Sequence, residues 1–115
     1  MAKRWVCKSE DLISEGNGIR FLLPELGERI TGFLVRYSGK AYAYVNQCAH
    51  IPVELDWNEG DFFNPTHEYL ICATHGAHYE PHTGLCVLGP CMGKRLRPIA
   101  VYEQNGNIEI DLDFI

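Results

Sequence analysis

The chain has no apolar run approaching the roughly 20 residues needed to cross a bilayer. Lys3 and Arg4 open it, yet no long apolar segment follows them, so no export signal is read and the expectation is a cytoplasmic protein that meets no membrane. Cationic charge is scarce: ten Lys and Arg stand against fifteen Asp and Glu, a formal net charge of −5. This argues against nucleic acid and anionic membrane surfaces, which recruit clustered Lys and Arg. No nicotinamide- or flavin-binding motif, non-haem iron triad, internal repeat, low-complexity tract or linker is found, and 115 residues leave no room for a separate catalytic domain. A single domain over residues 1–115 can bury about two-thirds of its unfolded surface around one core.

What the sequence does hold is β-forming pattern. Trp5 to Cys7 reads as a first strand, Ser9 to Leu12 as one capped helical turn, and Ile19 to Leu23 as a second strand ended by Pro24. Glu28 to Tyr37 and Lys40 to Asn46 form a hairpin about Ser38-Gly39, with Tyr42 and Tyr44 on one face and Ala41, Ala43 and Val45 on the other. Ile51 to Glu68 has no sustained period and is read as loop, with Asp61 to Phe63 as a strand fragment. Its Trp57, Phe62 and Phe63 call for burial. Glu68 to Ala73, His78 to Glu80 and Leu85 to Val87 read as three short strands. Ile99 to Gln104 and Asn107 to Leu112 form the clearest hairpin, about an Asn105-Gly106 turn of type I′ chemistry. In that hairpin Ile108, Ile110 and Leu112 are expected inward, and Asn107, Glu109, Asp111 and Asp113 outward. The fold class is therefore all-β: an antiparallel sheet sandwich with a smaller unit inserted in it.

The chemistry gathers in two segments, Cys48-Ala49-His50 and Cys72-Ala73-Thr74-His75. Each puts one thiol and one imidazole on a short loop, so the pair offers two sulfurs and two nitrogens to a metal centre. A Cys2His2 set also suits a structural zinc ion, which leaves a zinc-stabilised interaction domain as one alternative. The segments continue as His75-Gly76-Ala77-His78-Tyr79-Glu80, then His82-Thr83-Gly84 and Gly89-Pro90. With that continuation, residues from about Phe33 to Ile110 resemble the Rieske-type [2Fe–2S] ferredoxins and Rieske domains.

The resemblance implies a Rieske-like fold with a cluster-binding subdomain over about residues 47–91 and one [2Fe–2S] cluster per chain. Cys48 and Cys72 would bind one iron, and His50 and His75 the other. Its imidazole N–H groups would turn more acidic on the metal, so that reduction couples to proton uptake at high pH. The 21 residues between His50 and Cys72 exceed the family's usual spacing, so 51–71 is expected to carry an insertion. Gly76 allows a tight turn after His75. Tyr79 stands where family members often place a hydroxyl near a ligand sulfur, and reads equally as an ordinary strand residue. His67, His78 and His82 are expected to be surface or structural histidines, and Lys94-Arg95-Leu96-Arg97 a solvated basic stretch. Family members of high potential carry a cysteine near each ligand pair, and the two form a bracing disulfide; Val53 and Thr74 stand there. A serine common after the second histidine is Ala77 here. Cys7, Cys86 and Cys91 are left over, and their odd count suits reduced thiols in or near the core.

By resemblance the chain is a soluble Rieske ferredoxin that carries single electrons from a flavoprotein reductase to an oxygenase, an electron-transfer component and not an enzyme by itself. The alternative from another class is a non-catalytic Rieske-like subunit of a larger reductase.

Overall fold

The computed structural model describes residues 3–49, 51 and 53–112. Nine strands follow one another among these residues: β1 (Lys3–Lys8), β2 (Ile19–Leu22), β3 (Thr31–Tyr37), β4 (Lys40–Val45), β5 (Leu70–Ile71), β6 (His78–Tyr79), β7 (Cys86–Leu88), β8 (Pro98–Gln104) and β9 (Asn107–Asp111). A single 3-10 turn, Ser9–Asp11, follows β1. The strands form a six-stranded antiparallel sheet in the order β1-β9-β8-β4-β3-β2 and a three-stranded one in the order β5-β6-β7. No helix among the described residues is long and apolar enough to cross a membrane.

Strand β8 turns the larger sheet into a sandwich. Its first residues, Pro98 and Ile99, pair with β4, while Ala100 to Gln104 pair with β9. Proline is tolerated there because it stands first in the strand and owes the ladder no N–H. The two halves meet over one core that joins Cys7 of β1, Ile108 and Ile110 of β9, and Leu34, Ala43 and Val45 of the β3–β4 hairpin. At the other end of β9, Asn105 and Gly106 both have positive φ, 55° and 77°, as the Asn-Gly turn requires.

The β3–β4 hairpin is buried on both faces, which explains the unbroken apolar run Phe33-Leu34-Val35. Leu34, Ala43 and Val45 face the sandwich core, whereas Phe33, Val35 and Tyr44 face a second core shared with the small sheet and the 51–71 segment. Phe62 stacks on Phe33 with centroids 4.0 Å apart and planes at 14°, and both rings are fully buried. Each such burial contributes about 1.5–3 kcal/mol. Phe62 and Phe63 thus do what the sequence led one to expect. Trp57 does not: it is 79% exposed, since its neighbours Leu55 and Asp56 already fill the inward positions of this turn.

Three further expectations are corrected. Glu28 to Ile30 belongs to a turn, with Ile30 N–H bonded to Gly27 O, so β3 starts at Thr31. The strand expected over Glu68 to Ala73 shrinks to Leu70–Ile71, because Cys72 and Ala73 bond out of the sheet, to Ala77 O and Leu55 O. Asp111 is buried, since β9 lies between β1 and β8, paired with Lys3 on one side and Ala100 on the other. Asp113 lies outside the described residues.

A buried polar knot ties the 51–71 segment to the sandwich. Asp56 receives two hydrogen bonds from Arg20 of β2, at 2.7 and 2.9 Å, one from Asn46 Nδ2 at 3.0 Å and one from Gly60 N–H at 3.0 Å. Asn46 Oδ1 in turn accepts the Leu55 N–H at 2.9 Å. Burial pushes the Asp56 pKa up, but the bonds from Arg20, Asn46 and Gly60 outweigh it and leave the carboxyl below its ordinary value. A depressed folded pKa means that this stabilisation is complete above the unfolded carboxylate value near ~3.9 and is lost as pH falls through the lower folded one. We expect Asp56→Ala to cost about 2–3 kcal/mol at pH 7, less than a fully enclosed pair because Arg20 is 24% exposed. Urea midpoints at pH 7 and pH 3 should show a smaller loss between the two pH values for the variant than for the parent. Equal losses would show that Asp56 is not a stabilising ion.

Candidate metal centre

Two loops converge at the junction of the second core and the small sheet. The first leaves β4 after Val45, and its Cys48 N–H bonds to Val53 O at 2.8 Å. The second joins β5 to β6. In it, Cys72 N–H bonds to Ala77 O at 2.9 Å and Gly76 N–H to Cys72 O at 2.8 Å, while Gly76 has φ of 71°. That left-handed glycine reverses the chain within one turn of His75.

The loops bring the Cys48 and Cys72 sulfurs and a ring nitrogen of His75 to within 4.8 Å of one another. His75 Nδ1 is 3.6 Å from Cys72 Sγ. Both cysteines are buried and the histidine is half-buried. His50, the fourth residue expected at the site, lies outside the described residues. The other three histidines stand elsewhere. His67 donates to Glu15 O, His82 stacks on Tyr37, and the His78 Nδ1–H donates to Gly76 O at 2.8 Å. Lys94, Arg95 and Arg97 are exposed around a buried Leu96.

The donor set fits an iron–sulfur centre. Two thiols and an imidazole meet at an apolar junction, where a bare thiolate is disfavoured. Burial raises the Cys72 pKa, and hydrogen bonds from the His75 and Thr74 N–H groups recover only part of that cost. A bound cation supplies the missing charge and holds the sulfur as thiolate.

Tyr79 resolves in favour of the site. It is fully buried at the end of β6, and its hydroxyl lies 3.2 Å from Cys48 Sγ and accepts the Ala49 N–H at 2.9 Å. Burial first, then the hydrogen bonds with Cys48 and Cys91, push its pKa up, so the hydroxyl keeps its proton. Once Cys48 is a thiolate, only Tyr79 has a proton to give in that contact.

The sequence profile of the Rieske [2Fe–2S] domain matches residues 3–106. The chain belongs to the Rieske [2Fe–2S] family. Among curated protein sequences none matches it. Among solved structures, the Rieske chain is similar to the ferredoxin of carbazole 1,9a-dioxygenase from Nocardioides aromaticivorans IC177, with TM-score 0.75 and 22% identity over 96% of this chain and 97% of that one. A complex of reduced oxygenase and oxidized ferredoxin in carbazole 1,9a-dioxygenase matches with TM-score 0.74 and 21% identity, covering 94% of this chain and 91% of the other. In a fluorene-bound oxygenase and ferredoxin complex of the same dioxygenase, the TM-score is 0.76 and the identity 23%, over 94% of this chain but 28% of the matched one. At these identities the structural likeness establishes the shared fold.

Sequence reasoning missed the residues that hold the Rieske site from behind. Arg20, Asn46 and Asp56 fix the approach to Cys48, and Cys91 touches the Tyr79 hydroxyl at 3.3 Å. The one available signal was a polar residue, Asn46, directly after the strand that runs into Cys48.

Tyr79→Phe removes the acceptor of the Ala49 N–H and the partner of Cys48 Sγ together. The expected cost is about 1–3 kcal/mol, the penalty for stranding a buried donor. Urea denaturation of parent and variant measures it; an unchanged midpoint would show that the hydroxyl is not an anchor between the loops.

Proposed function

We propose that this Rieske domain is a cytoplasmic ferredoxin that moves single electrons from a flavoprotein reductase to an oxygenase, with residues 1–115 acting as one domain and residues 47–91 as its cluster-bearing part. The observation that carries the reading is the convergence of Cys48, Cys72 and His75 from two separate loops onto one buried point. We assign Cys48 and Cys72 to one iron and His50 and His75 to the other. When bound, a cluster with two neutral imidazole ligands is less negative than one with four thiolates, and accepts an electron more readily.

The chain's own part is to hold and bias that centre. The Cys48 and Cys72 thiols give up their protons to serve as ligands. The Tyr79 hydroxyl donates toward Cys48, which lowers the electron density on that sulfur and favours the reduced state. His75 is half-buried, so the site lies near the surface and offers a short path for an electron to a docked protein. The names of the similar structures, which include a ferredoxin and its complexes with an oxygenase, support an oxygenase as one partner. The net charge of −5 suits a partner with a basic docking face.

Two measurements test this. The purified protein should contain two irons and two acid-labile sulfides per chain and be red-brown, and Cys72→Ser should lose the visible spectrum along with part of its stability. One zinc and no labile sulfide would overturn the reading. The second is the midpoint potential. Ala77 has no hydroxyl to donate, and Val53 and Thr74 cannot form a brace between the loops. Tyr79 remains as a side-chain donor at a ligand sulfur, and we expect a midpoint in the lower part of the roughly −150 to +300 mV span of Rieske centres. Tyr79→Phe should lower it further. Protein-film voltammetry at pH 7 reads both; a midpoint above about +100 mV, well inside that span, would overturn the low-potential reading.

A further inference from the structure

Behind Tyr79 lie two more sulfurs. Cys86 of β7 and Cys91 of the following turn have their Sγ atoms 3.1 Å apart, closer than sulfur atoms stand in ordinary packing and about 1 Å from disulfide bonding distance. They are 1% and 2% exposed. Their approach is built by the backbone. Gly89 and Gly93, with φ of 106° and 91°, bracket Cys91 and fold the chain back, and Gly93 N–H closes the turn on Cys86 O at 3.0 Å. The turn cannot open outward freely, because Gly89 lies against the second ligand loop: a Cβ there would stand 2.9 Å from Ala77 Cα. Leu88, Gly89, Pro90 and Met92 around the pair are exposed, so a local opening of this one turn admits a small solute.

We propose that Cys86 and Cys91 form a dithiol–disulfide couple, oxidised by hydrogen peroxide; it stands whether or not Cys48 is a cluster ligand. The chemistry balances in two steps. Peroxide transfers one oxygen to the Cys91 thiol, giving sulfenic acid and one water; Cys86 sulfur then attacks the sulfenic sulfur, forming the S–S bond and releasing the second water. Both thiol protons leave in water, and the two electrons lost by the thiols reduce the peroxide. Burial and the contact with Cys91 raise the Cys86 pKa to about 11. Cys86 therefore rests as a thiol, and oxidation of the buried pair is slow until the turn opens.

The test uses the full-length holoprotein treated with hydrogen peroxide, then unfolded and alkylated. Chymotryptic cleavage after Tyr79 and Tyr102 releases a peptide with Cys86 and Cys91 and neither Cys48 nor Cys72. Mass spectrometry should find this peptide two hydrogens lighter and unalkylated after peroxide, doubly alkylated before it, and restored by dithiothreitol. Cys91→Ser should never show the loss. Two alkyl groups after peroxide, a sulfinic acid on either residue, or a bridge to Cys48 or Cys72 would overturn the couple.

Discussion

Burial of the β3–β4 hairpin on both faces is the constraint from which the rest of the molecule follows. Its inner face closes the sandwich through Leu34, Ala43 and Val45, and its outer face carries the second core through Phe33, Val35 and Tyr44. Because β4 runs straight into Asn46 and Cys48, the first ligand loop begins at a point that both cores hold in place. A loop anchored at one face alone could pivot. Here a displacement of β4 would disturb the Phe33–Phe62 stack on one side and the sandwich on the other, and interiors packed at crystal-like density resist such shifts.

The second ligand loop is positioned from the opposite direction. Strands β5, β6 and β7 have two, two and three residues, far too few for a sheet that stands by its own ladder. Its shape comes from turns and buried side chains: Leu70, Tyr79 and Cys86 in the core, the glycine reversal at Gly76, and the contact of Gly89 with Ala77. Tyr79 joins both arrangements. It belongs to β6 by backbone and reaches the first loop by its hydroxyl, so the separation of the loops is fixed by one rigid aromatic side chain.

How much of this was legible in the sequence depended on whether the signal was local. Cys48, Cys72 and His75 could be named because each thiol has an imidazole two or three residues away, a pattern needing no fold to interpret. The Asn105-Gly106 hairpin was likewise a matter of adjacent residues. Contacts that cross the fold left weaker traces. Arg20 and Asp56 are 36 residues apart and look like any two surface charges until the 51–71 segment folds over β2. Trp57 was expected inside on hydrophobicity alone, yet an aperiodic turn gives no rule for which of its apolar residues faces in. Asp111 was expected outside by strand alternation, and that rule fails at this end of a strand enclosed between β1 and β8. Cys86 and Cys91 looked like leftover thiols because their meeting depends on two left-handed glycines, a feature of backbone angle and not of residue pattern.

The two parts of the fold therefore obey different physics. The sandwich is stabilised by its own ladders and by apolar burial, terms present whether or not a metal is bound. The cluster-bearing unit has little ladder and brings together two thiols and an imidazole at an apolar junction. As bare thiols these groups are merely buried; as ligands they are joined to one another, and each loop becomes a tether on the other. Metal binding free energy enters the folding of this unit directly, while the hairpin beneath it supplies the fixed end of both tethers. In a protein built this way, loss of the metal should loosen the loops first and leave the sandwich standing, because among the described residues the core that joins Leu34 to Ile110 contains none from either ligand loop.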